Sequence, residues 1–346
     1  MTLRESPCGC PDEKPTAAAR ATAGDAPPRA CPGRSHRSRA WAELLRLPAL
    51  FSVPGDALAG AAATGTSPNT RTLLAIASSL CLYEAGMALN DWADRDVDAV
   101  ERPHRPLPSG RIRPAAALTA ACALTGAGLA LAAGAGRPAL AVAAPLAATV
   151  WAYDLGLKHT PAGPLAMGAA RGLDLLLGAA ATSGTTRPAL PSAALLGTHT
   201  LAVTTVSRQE AQGGSPVPPL AALATTALLT RLVTRRSSGG PGRGRRPATG
   251  HRPAGLRADR FPEQDSGALL TTALTAAYAA TTARPYFHAT LNPSPPLTQR
   301  AVGAGIRATI PLQAALTARS RGTATALLIA ALAPLGARFA KKVSVT

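Results

Sequence analysis

Asn90-Asp91-Trp92-Ala93-Asp94-Arg95-Asp96-Val97-Asp98 lies between two apolar runs, 71–89 and 114–135, each long enough to cross a bilayer. Acids are scarce in this chain of 346 residues, 18 against 36 lysines and arginines, yet four aspartates fall within eight positions here. On a continuous helix Asp91, Asp94 and Asp98 stand at i, i+3 and i+7, so their carboxylates project from one face. Three like charges repel on such a face, and at a membrane boundary they are poorly solvated. The pattern asks for a positive partner. A hard divalent cation, which takes carboxylate oxygens and often bridges them to phosphate, fits that need.

Outward from this segment the chain reads in blocks. Runs of Ala, Leu, Thr and Gly, each roughly 16 to 22 residues, alternate with short basic or Pro/Gly segments, which matches the hydrocarbon thickness. The spans fall near 44–64, 71–89, 114–135, 138–153, 164–183, 189–206, 217–234, 267–284, 300–318 and 322–340. This predicts an all-α, polytopic membrane bundle of nine or ten transmembrane helices, ten only if 300–318, which carries Arg300, Arg307 and Gln313, spans fully. Abundant small residues suit close helix packing in lipid. Soluble amphipathic helices would each show a polar stripe, and most of these runs show none.

Residues 1–40, rich in Arg, Pro and Ala, predict an unfolded basic tail, 41–340 the membrane domain, and 341–346 a short C-terminal tail. The Arg-dense, Pro/Gly-rich stretch 235–265 reads as a disordered insertion, or else the span count beside it is off by one. Alternating the spans puts 90–113 and 207–216 on the cytoplasmic side of a cell membrane, where basic loops belong. The net charge of +18 sits mainly in loops and tails, which suits anionic lipid. With 3% aromatics there is little to stack bases, so nucleic acid is not the expected partner. Cys81 and Cys122 read as packing residues. Cys8, Cys10 and Cys31 match no standard zinc spacing.

Behind the aspartates comes Glu101-Arg102-Pro103-His104-Arg105-Pro106-Leu107-Pro108-Ser109-Gly110-Arg111. The prolines break the helix, and Ser109-Gly110 turns the chain into the next run. A carboxylate cluster followed at once by Arg102, Arg105 and Arg111 points to a diphosphate at the membrane surface. Carboxylates hold a metal, and metal and guanidinium together hold phosphate oxygens.

N-D-x-x-D-x-x-x-D followed by R-P-L-x-x-G, between the second and third spans, resembles the UbiA-type intramembrane prenyltransferases over roughly 40–340, most nearly their EboC-like branch. The resemblance implies a helical bundle around a central cavity open to lipid, with two Asp-rich motifs binding Mg2+ and the diphosphate of an isoprenoid donor. Asn90, Asp91, Asp94 and Asp98 would form the first motif. The second, usually D-x-x-x-D, reads Ser207-Arg208-Gln209-Glu210 here. Only Glu210 can serve as an anionic ligand, and Arg208 stands ready to meet the diphosphate. A Tyr-x-x-x-Lys element is matched with one extra residue by Tyr153 and Lys158, the latter on a stem long enough to reach phosphate.

Asp56, Glu84, Arg171 and Asp174 lie within apolar spans, where such groups face the bundle interior and need partners. Arg171 and Asp174, at i and i+3, are placed to pair with each other. Asp56, Glu84, Tyr153 and Asp174 are the residues placed to contact an acceptor. The reaction implied is Mg2+-dependent transfer of a prenyl group to a lipid or small-molecule acceptor, with catalysis by Asp91, Asp94 and Asp98. A terpene cyclase using the same ionisation is the alternative, although few aromatics are present to line a cyclase cavity. A CDP-alcohol phosphotransferase would need D-G-x-x-A-R, which is absent. A cation transporter gains nothing from the three arginines.

Overall fold

Each apolar run becomes a helix. The computed structural model describes residues 34–210, 213–235, 263–320 and 322–344, and among them there is no strand. Among the described residues twelve α-helices follow one another: α1 (Arg34–Leu44), α2 (Val53–Ala63), α3 (Thr70–Ala93), α4 (Arg95–Glu101), α5 (Pro114–Ala135), α6 (Arg137–Leu155), α7 (Gly163–Ser183), α8 (Leu190–Ser207), α9 (Val217–Thr234), α10 (Glu263–Leu291), α11 (Pro295–Arg319) and α12 (Thr323–Ser344). Among the described residues six helices are long and apolar enough to cross a membrane by length and composition: α3, α5, α6, α7, α9 and the stretch Arg187–Ser207 that contains α8. The expected count of nine or ten is therefore not reached by that measure. In α11 the reason is visible, since Arg300 and Arg307 lie exposed on one face.

The direction of the helices places the functional end. At the start of α3, Asn69 caps the helix by accepting from the Arg71 and Thr72 amides, and its Nδ2 donates to the Thr182 carbonyl at 3.3 Å. Thr72 and Thr182 share a hydroxyl hydrogen bond of 2.8 Å. The start of α3 therefore sits beside the end of α7, and the two run antiparallel. The far end of α3, the end of α6, the start of α7 and the end of α8 gather on the opposite side, where Arg208 donates to the Thr160 carbonyl.

Small residues set the spacing. A Cβ on Gly178 of α7 would collide with the backbone of Ala57, and one on Gly60 of α2 with the Leu175 carbonyl. The α2–α7 crossing thus exists only because neither position carries a side chain. Ser78 Oγ donates to the Gly128 carbonyl at 2.7 Å, joining α3 to α5. His199 of α8 bonds Tyr278 Oη of α10 at 3.1 Å and the Gly305 carbonyl of α11 at 3.0 Å, tying the second half of the bundle together.

Several expected boundaries move. Within the stretch 1–40 expected to be unfolded, the residues from Arg34 onward form α1, which buries Ala40 and Leu44 against Ala88 and Leu89. Within the stretch 341–346 expected to be a C-terminal tail, α12 continues to Ser344. Residues 1–33 and 236–262, with the three N-terminal cysteines and most of the basic insertion, lie outside the described residues. Cys122 is exposed on α5 rather than packed.

Candidate active site

The aspartate segment does not run as one helix. α3 stops at Ala93, Asp94 takes φ −88° and ψ 2°, and α4 starts afresh at Arg95. This corrects the single face expected for the three carboxylates. Asp91 and Asp98 remain neighbours, bridged by Arg105, whose guanidinium lies 3.6 Å from Asp91 Oδ1 and 2.6 Å from Asp98 Oδ2. Arg102 adds a contact to Asp98 Oδ1 at 3.5 Å. Asp94 is swung away to Lys158, whose Nζ lies 2.6 Å from Asp94 Oδ1 and 3.4 Å from Asn90 Oδ1. Mutual repulsion is thus relieved by interleaving cations between the acids.

Arg46, not singled out from the sequence, joins the cluster. It turns the chain ahead of α2 in a left-handed conformation (φ 48°, ψ 45°) and donates to Asp91 Oδ1 at 3.2 Å. A non-glycine residue pays about 1–3 kcal/mol for such a conformation. Its guanidinium end is anchored by the ion pair with the nearly buried Asp91 carboxylate. Arg111 goes elsewhere. It pairs with Glu43 at 2.6 and 3.1 Å and donates to the His104 carbonyl at 2.5 Å, so it staples the loop to α1.

Beneath the charged cluster lies a cavity of about 270 Å³ between α3, α6 and α7. Asn90, Arg46, Tyr153 and Asp154 form its charged end, and Leu82, Met87, Leu146 and Val150 line its walls. Ser79 and Asp174 mark the other end. Asn90 and Ser79 are eleven positions apart on α3, a depth of about 16 Å at the helical rise. Asp154 is only 4% exposed and was missed as a site residue, because it reads in sequence as an ordinary residue after Tyr153. The signal was there: an acid in the last turn of an apolar span, where the helix dipole disfavours it.

The deep polar residues form a network that differs from the expected one. Arg171 does not pair with Asp174. Its Nε lies 3.0 Å from Asp56 Oδ2, and it also donates to the Ser52 carbonyl at 3.3 Å. Gln313 Nε2 donates to Asp56 Oδ1 at 2.6 Å and to the Ser52 carbonyl at 2.8 Å. Asp174 instead accepts from Ser79. The close α2–α7 crossing brings Asp56 to Arg171, which is why the local i, i+3 pairing loses. Glu84 is buried, and neither of its carboxylate oxygens has a hydrogen-bond partner among the described residues. It is not among the residues lining the cavity.

Glu210 occupies the turn after α8, half-buried, and burial pushes its carboxyl above the usual range while Arg102 partly offsets this. Among the described residues no three acids, histidines or cysteines are already gathered as a metal cluster. The donors nevertheless suit Mg2+. They are all oxygen and rich in carboxylate, and the Lys158 ammonium between Asn90 and Asp94 stands where a cation would.

The model of the UbiA prenyltransferase family matches residues 49–234, more than half of the chain, a stretch that includes Asn90–Asp98, Lys158 and Glu210. The chain belongs to the UbiA prenyltransferase family. Digeranylgeranylglyceryl phosphate synthase of Methanopyrus kandleri is 36% identical to this UbiA protein over 128 residues, 36% of this chain and 45% of that one. Chlorophyll synthase of Oryza sativa is 43% identical over 80 residues, 21% of each chain. The chain spans about half the length of the first of these curated relatives. A UbiA homologue from Archaeoglobus fulgidus, solved with DMAPP and Mg2+, superposes with a TM-score of 0.53 at 18% identity, over 79% of this chain and 98% of that one. That likeness establishes the fold. These matches identify the family and not its EboC-like branch. With the six apolar helices they make this an integral membrane protein.

Proposed function

We propose that this UbiA protein transfers a prenyl group from an isoprenoid diphosphate to a lipid or small-molecule acceptor within the membrane, with Mg2+. The observation that carries the reading is the ring of acids and cations around Asn90 and Asp91 at the mouth of an apolar cavity about 16 Å deep. An amphiphile with a multiply charged anionic head and a hydrocarbon tail has the same polarity pattern. Relatives named as prenyl-transferring synthases, and a neighbour solved with DMAPP and Mg2+, support it.

In this reading Asn90, Asp91, Asp94 and Asp98 would hold the metal, which would supply positive charge to neutralise the departing diphosphate. Arg46, Arg102, Arg105 and Lys158 exchange carboxylate oxygens for phosphate oxygens when the donor enters. Arg208 and Glu210 flank the site from the turn after α8, and the loops that carry it face the cytoplasm of the cell membrane. The prenyl C1–O bond breaks with its electrons leaving on diphosphate. The allylic carbon then bonds to the acceptor, which releases a proton. Leu82, Met87, Leu146 and Val150 keep water from the cation. Tyr83 and Tyr153 are the aromatic residues on this wall, too few to steer a cyclisation.

Mass spectrometry of lipid extracts from membranes holding the wild type or Asp94→Ala tests the reading. A prenylated product present with the wild type and reduced at least about 100-fold in the variant is expected. No difference between the two refutes it. A terpene formed from prenyl diphosphate alone, without acceptor, would replace transfer by cyclisation.

A further inference from the structure

The second aspartate motif is depleted to Glu210, yet a carboxylate that nothing engages stands at the cavity mouth. Asp154 is 4% exposed and lines the cavity beside Asn90 and Arg46. It makes no hydrogen bond or ion pair among the described residues. It occupies the last turn of α6, where the unbonded carbonyls repel a negative charge. Its natural partner would be Lys158, four residues on, but that ammonium lies on Asp94 and Asn90 instead. Asp94, Asp91, Lys158 and Arg46 are its electrostatic neighbours.

The carboxylate points at α3. A Cβ built on Gly86, one turn before Asn90, would stand 3.8 Å from Asp154 Oδ2, and the glycine leaves that space open. Asp154 therefore reaches across from α6 to the same stretch of α3 that presents Asn90 and Asp94. A buried, unengaged carboxylate at the wrong end of a helix is unfavourable on three counts, and a cation removes all three.

We propose that Asp154 supplies a carboxylate oxygen to the divalent-cation site at the cavity mouth, in place of the acids missing from the Ser207–Glu210 turn. The inference rests on the prenyl-diphosphate reading and deepens it. Asp154 would then hold the cation together with the aspartates of the Asn90–Asp98 segment, and Lys158 would be free to meet the diphosphate. One residue of the fourth apolar span thus replaces an Asp of the second motif.

The test uses the full chain in lipid nanodiscs, Mn2+ as a paramagnetic substitute for Mg2+, and inorganic diphosphate as the companion anion. Mn2+ affinity is read by electron paramagnetic resonance, and thermal unfolding is followed without metal. Asp154→Asn, nearly isosteric, is expected to bind Mn2+ at least about tenfold more weakly. Its metal-free melting temperature should equal or exceed that of the wild type, because an unengaged charge has been removed. Asp96→Asn, on an exposed carboxylate paired with Arg95, should change Mn2+ affinity by less than about twofold.

Affinity within about twofold of wild type in Asp154→Asn, alongside its loss in Asp91→Asn, overturns the role of Asp154 alone. A lowered metal-free melting temperature, or failure of Asp154→Asn to fold, also overturns it by marking Asp154 as a structural partner. A wild-type chain that binds no Mn2+ with diphosphate refutes the prenyl-diphosphate reading itself.

Discussion

Lys158 illustrates how one ammonium can serve two states of a site. In the structure it neutralises Asp94 at 2.6 Å, and in the proposed reaction it moves to phosphate. Lys158→Met should therefore act in opposite directions on two ligands. Divalent-cation affinity without diphosphate should stay level or rise, while affinity for a prenyl diphosphate should fall by about tenfold or more. Calorimetry with each ligand separately checks this, and a fall in both would mean that Lys158 merely shapes the site. Arg171 makes a different prediction, because it faces a fully buried acid. Arg171→Met leaves Asp56 without its guanidinium and should destabilise the chain by about 3–5 kcal/mol, read from denaturant titration in mixed micelles. Asp94 and Lys158 were readable from the sequence as candidate site residues. That they pair with each other was not, because 64 positions separate them and only the packing of α3 against α6 brings them close.

At the scale of the element, apolar runs located most helices to within a few residues, since hydrocarbon thickness and backbone hydrogen bonding dictate their length. What they did not show was the break at Asp94. The local sequence is compatible with a continuous helix, and the ion pairs on either side pull Asp91 and Asp94 in different directions. Small residues were readable as packing positions but not by partner. Gly178 and Gly60 matter because they face each other's helices. Gly178→Val should cost at least about 3 kcal/mol or abolish the folded chain, since Ala57 backbone atoms fill the space. Gly126→Val on α5, where a Cβ would meet nothing within 4 Å, should be nearly neutral. Comparable losses in both, measured by recovery of monodisperse protein and by unfolding, would show that α2–α7 contact is not what the glycine secures.

At the scale of the whole molecule, the site is assembled from the ends of α1, α3, α6 and α8 with α4 and its loop, so a ligand there should tie the first half of the bundle together. Mg2+ with a prenyl diphosphate at a hundred times its Kd should stabilise the fold by about 2.7 kcal/mol, and a chelator should remove the gain. Thermal unfolding in nanodiscs measures it, and a shift of equal size without Mg2+ would argue against a metal-linked site. The sequence by itself determined that this is a helical membrane protein and singled out Asn90–Asp98 as its candidate site, because hydropathy and charge scarcity are properties of the chain alone. Only the tertiary structure decided which acid meets which cation. It broke α3 at Asp94, gave Arg171 to Asp56 rather than Asp174, and brought Asp154 to the cavity mouth. The reason is physical: in a low-dielectric interior a charge is placed by whatever partner packing brings within reach, and packing is settled by residues far apart in the chain.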